Sequence, residues 1–146
     1  FTAWIRSLML CAFVIPFGIA LGARFTGGLL GVLALVVASL GISTITLGWG
    51  LGLAYRFRDM RGAAIMQLTL FLTLFLSSAQ TPLNIMTGWL HTVARYNPAT
   101  NILRLSRQGF LGDVTWDGVW GGLVALVGLS VLTLWFARRG LDLLDR

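Results

Sequence analysis

Long runs without a formal charge alternate along this chain with short charged or Gly/Pro-rich connections. Residues 7–23, 25–55, 62–94 and 118–137 carry no charge, with His91 taken as neutral, and are 17, 31, 33 and 20 residues long. A helix needs about 20 mainly apolar residues to cross a bilayer. The first run reaches that length with Trp4 and Ile5. The second needs only its centre, 29–53, the third needs 64–81, and the fourth suffices as it stands. The pattern predicts an all-α chain, a polytopic transmembrane helix bundle of four spans, with residues 82–94 left for another purpose.

The ends of these runs carry suitable punctuation. Pro16, with Gly18 and Gly22, predicts a kink in the first span. Phe25-Thr26-Gly27-Gly28 reads as a tight turn into the second. Arg56-Phe57-Arg58-Asp59-Met60-Arg61 reads as a charged hairpin connection to the third. Trp4, Trp116, Trp120 and Trp135 fall near span ends, where an amphipathic ring suits the headgroup region. Trp49 falls inside a span and is assigned to the packed interior.

The surplus residues have a different period. Met86, Trp89, Leu90, Val93 and Tyr96 share one helical face, with His91 and Arg95 opposite. Thr87 suits the cap of that helix. Asn97 is a good N-cap, Pro98 a good first helical residue and Gly109 a good stop. Within 98–108, Ile102, Leu103 and Leu105 form one arc, with Arg104 and Arg107 on the other side. The sequence therefore predicts two short amphipathic helices meeting at Asn97-Pro98, interfacial or re-entrant, before the last span.

Composition narrows the class. Of 146 residues, 57% are apolar and only 11% charged, and the mean hydropathy is +0.85. One soluble core of this size cannot hide so much apolar surface, so a soluble enzyme is excluded, as is a disordered tail. The net charge of +6 comes from eleven Arg and five Asp, with no Lys or Glu. Those arginines cluster between apolar runs as topogenic anchors, which argues against nucleic acid as a partner. An inner N-terminus puts Arg6, Arg56, Arg58, Arg61, Arg138, Arg139 and Arg146 inside, against Arg24, Arg95, Arg104 and Arg107 outside. The bias predicts both ends in the cytosol. A single Cys11 and a single His91 exclude a disulfide framework and a His/Cys zinc site. The chain opens at Phe1, a few residues before a span, so it is read as a piece whose natural N-terminus is missing.

One segment resembles a known family. Phe75-Leu76-Ser77-Ser78-Ala79-Gln80-Thr81-Pro82, then Met86-Thr87-Gly88-Trp89-Leu90, then Tyr96-Asn97-Pro98-Ala99-Thr100-Asn101 and Arg107-Gln108-Gly109, resemble the C-terminal half of ABC-2 type transporter permeases. The nearest subgroup in pattern is the daunorubicin-resistance type of drug-efflux permease. The specific part covers about 75–109, and Thr87 departs from it where the family often has Pro. The resemblance implies that 1–146 is the C-terminal four-span part of a six-span permease domain in the cell membrane. The short helices would be its external re-entrant pair, cornered by Trp89, Asn97, Pro98 and Arg107. The coupling helix to the ATPase would precede Phe1. Its partners would be an ABC-type ATP-binding subunit and a second permease copy or homologue.

The remaining motifs each admit two readings. Thr69, Thr73, Ser77 and Thr81 put four hydroxyls on one face of the third span. They line a substrate path or subunit seam, or they simply pack or bond back to the preceding turn; Ser39, Ser43 and Thr46 invite the same choice. Gly48/Gly52 inside the second span admits a second backbone, whereas Gly27/Gly31 and Gly118/Gly122 sit near turns and mark ends. Arg56, Arg58, Asp59 and Arg61 make a cytosolic contact or serve as anchors, with Asp59 paired to a neighbouring Arg. Asp113 and Asp117 precede the last span, where Asp117 suits the positive helix end better than acid–base chemistry. Cys11 reads as a small apolar residue and His91 as a plain polar one. No P-loop occurs, so ATP is expected on another chain. No catalytic residue, metal ligand or cofactor is assigned. The resemblance implies the permease subunit of an exporter for a hydrophobic drug, lipid or glycan-type substrate. The alternatives are a small structural membrane protein and a membrane-embedded enzyme. The enzyme would need ionisable groups at membrane depth, which the span centres lack.

Overall fold

The computed structural model describes residues 1–22, 24, 26–77, 85, 87–111 and 115–142, without the side chains of 109–111 and 118. The described residues form α1 (Thr2–Ala20), α2 (Gly28–Phe57), α3 (Met60–Phe75), α4 (Trp89–Tyr96), α5 (Pro98–Leu111) and α6 (Trp116–Asp142). No strand occurs among them. Three helices are long and apolar enough to cross a membrane: α1, α2 and the Val119–Asp142 stretch of α6. The fourth expected span, 64–81, runs past the described residues. Its described helix, α3, has 16 residues, or about 24 Å at 1.5 Å per residue, which is short of a hydrocarbon core of about 30 Å.

The exposure of these helices suits a membrane crossing. Only 11% of the apolar windows of α1 and α2, and 17% of that of α6, are buried. Phe13, Phe17, Leu29, Phe71, Phe75 and Val131 lie exposed, while Ala38, Ala137, Ser7, Ser77 and Thr133 are buried. Many large apolar side chains thus lie outside, while small or hydroxylated ones share the inside with Leu53, Ile102, Leu105 and Leu126. Lipid tails give helices no hydrophobic reason to associate, so close packing of small residues must hold them. Trp4, Trp116, Trp120 and Trp135, the tryptophans expected near span ends, are all exposed.

The chain divides into two units, Phe1–Thr44 with Asn101–Val127, and Ile45–Thr100 with Gly128–Arg146. In the first, α1 packs antiparallel to the first part of α2. Trp4 Nε1 donates to Thr44 Oγ1 (2.9 Å), Ser7 and Ser39 share a hydrogen bond (2.8 Å), and Cys11 Sγ donates to Ser39 Oγ (3.3 Å). Ser39 is thus an interhelical contact, and Cys11 adds a weak polar bond to its apolar role. Pro16 lies within α1, which continues to Ala20. Gly22 and Gly28 take positive φ (92° and 56°) where the chain turns towards α2. Gly122 does not mark an end: a methyl there would lie 3.0 Å from the Asn101 carbonyl oxygen, so this glycine lets α5 approach α6.

In the second unit, α2 ends at Phe57 because Arg58 adopts a left-handed φ of 50°. Asp59 then caps α3, its carboxylate accepting from the Met60 N–H (2.6 Å), and it pairs with Arg61 at 3.7 Å. The α2–α3 connection is thus only two residues, and Gly62 returns against Leu53 while Met66 meets Gly50. The α6 helix lies alongside α2 here. Gly48 faces Thr133, Gly52 faces Phe136 and Ala137, and Tyr55 faces Gly140. Positions rise together on both helices, so the two run parallel. Gly48/Gly52 therefore admits a helix of the same chain. Trp49, expected in the interior, stacks on Phe136 at 5.0 Å between ring centroids.

Gly48 tests this packing. A methyl there would lie 2.9 Å from Thr133 backbone, which cannot swing away. Gly48→Ala is expected to lower stability by about 1–3 kcal/mol. Gly128, with nothing within 4 Å, is the control. Gly128→Ala is expected to be neutral or to stabilise by up to about 1 kcal/mol through helix propensity. Thermal unfolding of both variants in detergent micelles checks the pair.

Candidate functional site

The segment between α3 and α6 places a corner where the sequence predicts one. α4 stops at Tyr96, Asn97 takes an extended conformation (φ −67°, ψ 119°), and α5 starts at Pro98. A residue before proline avoids the helical region, and proline fits the first turn because its missing N–H has no helical partner to lose. Asn97 Oδ1 accepts from the Ala99 N–H at 3.0 Å and satisfies one of the free donors of α5. The Asn97 carbonyl accepts from the Thr100 N–H at 3.0 Å.

The other half of the Asn97 amide does something the sequence does not announce. Its Nδ2 donates to the Thr73 carbonyl oxygen at 3.0 Å, tying the corner to α3. Thr100 Oγ1 donates to the Ala94 carbonyl at 2.6 Å, bridging the end of α4 to the start of α5. Both Ala94 and Thr100 are essentially buried. Sequence reasoning missed Thr100, although its place three residues after the cap is a usable signal. The corner is therefore a fixed bend built from three side-chain hydrogen bonds.

Details around it differ from expectation. Thr87 does not cap α4. Gly88 stands at the N-cap with a φ of 69° and no side-chain bond, because glycine alone takes this backbone freely. Gly109 does not stop α5, which continues to Leu111. The face carrying Trp89, Val93 and Tyr96 is exposed, while His91, expected on the wet face, is half-buried on the side of Ala94. The small Ala94 allows the closest approach, so the helix turns that side inward. In α5, Ile102 and Leu105 are buried and Arg104 is exposed, as the predicted arc requires, and Arg107 is half-buried.

The hydroxyl row on α3 is brought together only in part. Thr69 Oγ1 donates to the Ile65 carbonyl (2.7 Å) and Ser77 Oγ to the Leu74 carbonyl (2.7 Å). Thr73 is half-buried, and its carbonyl holds Asn97. Thr81, Pro82, Met86 and Asp113 lie outside the described residues, as does Arg146. Asp117 sits in the first turn of α6, at the positive helix end. Trp89 is exposed and touches no part of the corner's hydrogen bonds, and Arg107 belongs to the other unit. Arg56, Arg58, Asp59 and Arg61 cluster at the α2–α3 connection, all exposed. Among the described residues, no three His, Cys, Asp or Glu side chains group as metal ligands.

The first unit also holds a cavity of about 260 Å³, lined by Leu10, Cys11, Val14, Leu35, Ser39 and Ser106 among others. Sequence reasoning missed it, because it depends on how α1, α2 and α5 pack. Its hydroxyls are already engaged. Ser39 bonds Ser7 and Cys11, and Ser106 Oγ donates to the Leu103 carbonyl at 3.0 Å. With the exposed Leu10 and Val14 at its rim, the cavity is an open pocket with mainly apolar walls.

Two substitutions separate the functions of the Asn97 amide. Asn97→Ala removes the cap and the tie to Thr73 and is expected to cost about 1–2 kcal/mol. Asn97→Ser keeps a capping oxygen but cannot reach Thr73, so its loss should be clearly smaller. Equal losses in denaturant titrations of the two variants would show that the cap contributes nothing.

Compared with known proteins, the chain matches no family model, no curated protein and no solved structure.

Proposed function

We propose that the chain is the C-terminal part of the transmembrane permease of an ATP-binding-cassette exporter in the cell membrane. It would move a hydrophobic drug, lipid or glycan-type substrate outward. ATP would be hydrolysed by a separate subunit, and a second permease copy or homologue would complete the path. The observation that carries this reading is the Asn97-Pro98 corner. It joins two short amphipathic helices just before the last apolar helix and bonds back to α3. This is the place and order that the resemblance to ABC-2 permeases implies.

Two further features support it. The parallel course of α2 and α6 in the second unit requires the chain between them to return to the side where α2 begins. A crossing by the third apolar run of the sequence would meet that requirement, for four spans with both ends inside. The exposed Trp89, Val93 and Tyr96 face, with Arg95 beside it, suits a helix lying at headgroup depth. The hydroxyls of Thr69 and Ser77 bond to their own helix, so α3 serves this reading as a packed wall more than as a row of free ligands.

Topology is checked with single cysteines introduced at Arg58 and Arg95 after Cys11→Ala. Membrane-impermeant maleimide should reach them from opposite sides, and labelling of both from one side would refute the four-span arrangement. The exporter reading is checked in the full-length protein with its ATP-binding partner. An Asn97→Ala, Pro98→Ala double variant should insert normally yet lose most ATP-dependent efflux. Unchanged efflux would remove the function assigned to the corner.

A further inference from the structure

The second unit gathers an unusual charge distribution at one end. Arg56 closes α2, Arg58 lies in the two-residue connection, Arg61 in the first turn of α3, and Arg138 and Arg139 in the last turns of α6. The parallel packing of α2 on α6, with Tyr55 against Gly140, brings these ends level. All five arginines are exposed, and the acids described there are Asp59 and Asp142. Among the described residues, Arg61 alone of these five makes an ion pair, through its Nε to Asp59.

Two of the guanidinium groups are held in place. Arg56 lies 3.9 Å above the ring centroid of Phe136, and Arg139 lies 4.2 Å above that of Trp135. Stacking occupies the flat faces and leaves the N–H edges free. A planar fork of donors presented this way matches two oxygens of a phosphate. Along α6 the outward side chains then change in order. Val131 and Leu132 are exposed and apolar, Trp135 is exposed and amphipathic, and Arg138 and Arg139 are cationic. The sequence hydrocarbon, interface, cation is the complement of an anionic amphiphile. An acidic protein surface would match the arginines but not the apolar residues below them.

The geometry points to a binding surface for anionic phospholipid headgroups. Arg56 and Arg139 are its preset phosphate contacts, Arg58, Arg61 and Arg138 its surrounding field, and Trp135 its marker of headgroup depth. This goes beyond topogenic anchoring, because it assigns a lipid class and particular side chains to one end of the molecule. It rests on the membrane-spanning character of the helices and not on the exporter reading.

The test uses the full chain purified in micelles doped with phosphatidylglycerol, phosphatidylcholine or inorganic phosphate, with retained lipid counted by native mass spectrometry. Phosphatidylglycerol should be retained in preference to phosphatidylcholine, and millimolar phosphate should not displace it. Each arginine removed should weaken retention about fivefold, so Arg56→Gln with Arg139→Gln should nearly abolish the preference. Arg56→Lys with Arg139→Lys should keep part of it. Arg58→Gln with Arg138→Gln, which disturbs no ring contact, supplies a second variant should the first pair fold poorly. Arg24→Gln, outside this unit, should change nothing. Equal retention of both lipids would overturn the proposal. So would displacement by free phosphate, or an unchanged preference in both Gln pairs. Loss of an ATP-binding partner from the Gln variants with lipid preference intact would assign the surface to a protein instead.

Discussion

Backbone polarity has no outlet in a hydrocarbon solvent, and this constraint shapes the rest of the molecule. Every N–H and C=O must find its partner within the segment, so apolar stretches become helices. Association between those helices then gains nothing from hiding oily side chains. It depends on how closely the backbones approach. Gly48 and Gly52 on α2, facing Thr133 and Ala137, and Gly140 facing Tyr55, are where the second unit meets that demand. In the first unit Gly122 does the same for α5, and the Trp4–Thr44 and Ser7–Ser39 bonds add polar contacts between α1 and α2.

The same rule explains why polar side chains inside these helices bond so near to home. Thr44, Thr69 and Thr133 each donate to a carbonyl four residues earlier in the same helix. A hydroxyl in this setting is already satisfied and costs little to bury. The Asn97 amide works differently: its two ends join a helix start to the carbonyl of a different helix. That division fixes the start of α5 and ties the α4–α5 corner to α3.

In the long apolar helices the charges lie towards the ends, where water and headgroups can solvate them, as Arg56 does in α2 and Arg138 and Arg139 in α6. The α2–α3 connection shows how compactly this is done. Arg58 accepts an unfavourable left-handed backbone, and Asp59 caps the next helix at once. Arg56 and Arg139 lie over the rings of Phe136 and Trp135, which hold them in place.

Run lengths and the lack of charge were enough to identify helices of membrane type, because hydropathy over 20 residues is a local property. Local rules also located the bend at Asn97-Pro98, since a cap and the restriction before proline act within two or three residues. Gly88 takes the cap of α4 in place of Thr87 because its φ of 69° suits glycine, and α5 runs on past Gly109 because a glycine permits a helix end without imposing one. Which side of α4 turns inward depended on the small Ala94, not on where the apolar side chains fall around the helix. The bond from Asn97 to Thr73, the pairing of Gly48 with Thr133 and the cavity beside Cys11 join residues far apart in the chain. No periodicity encodes such partners; only the tertiary structure decided them, because close packing is a property of two surfaces and the sequence displays them one at a time.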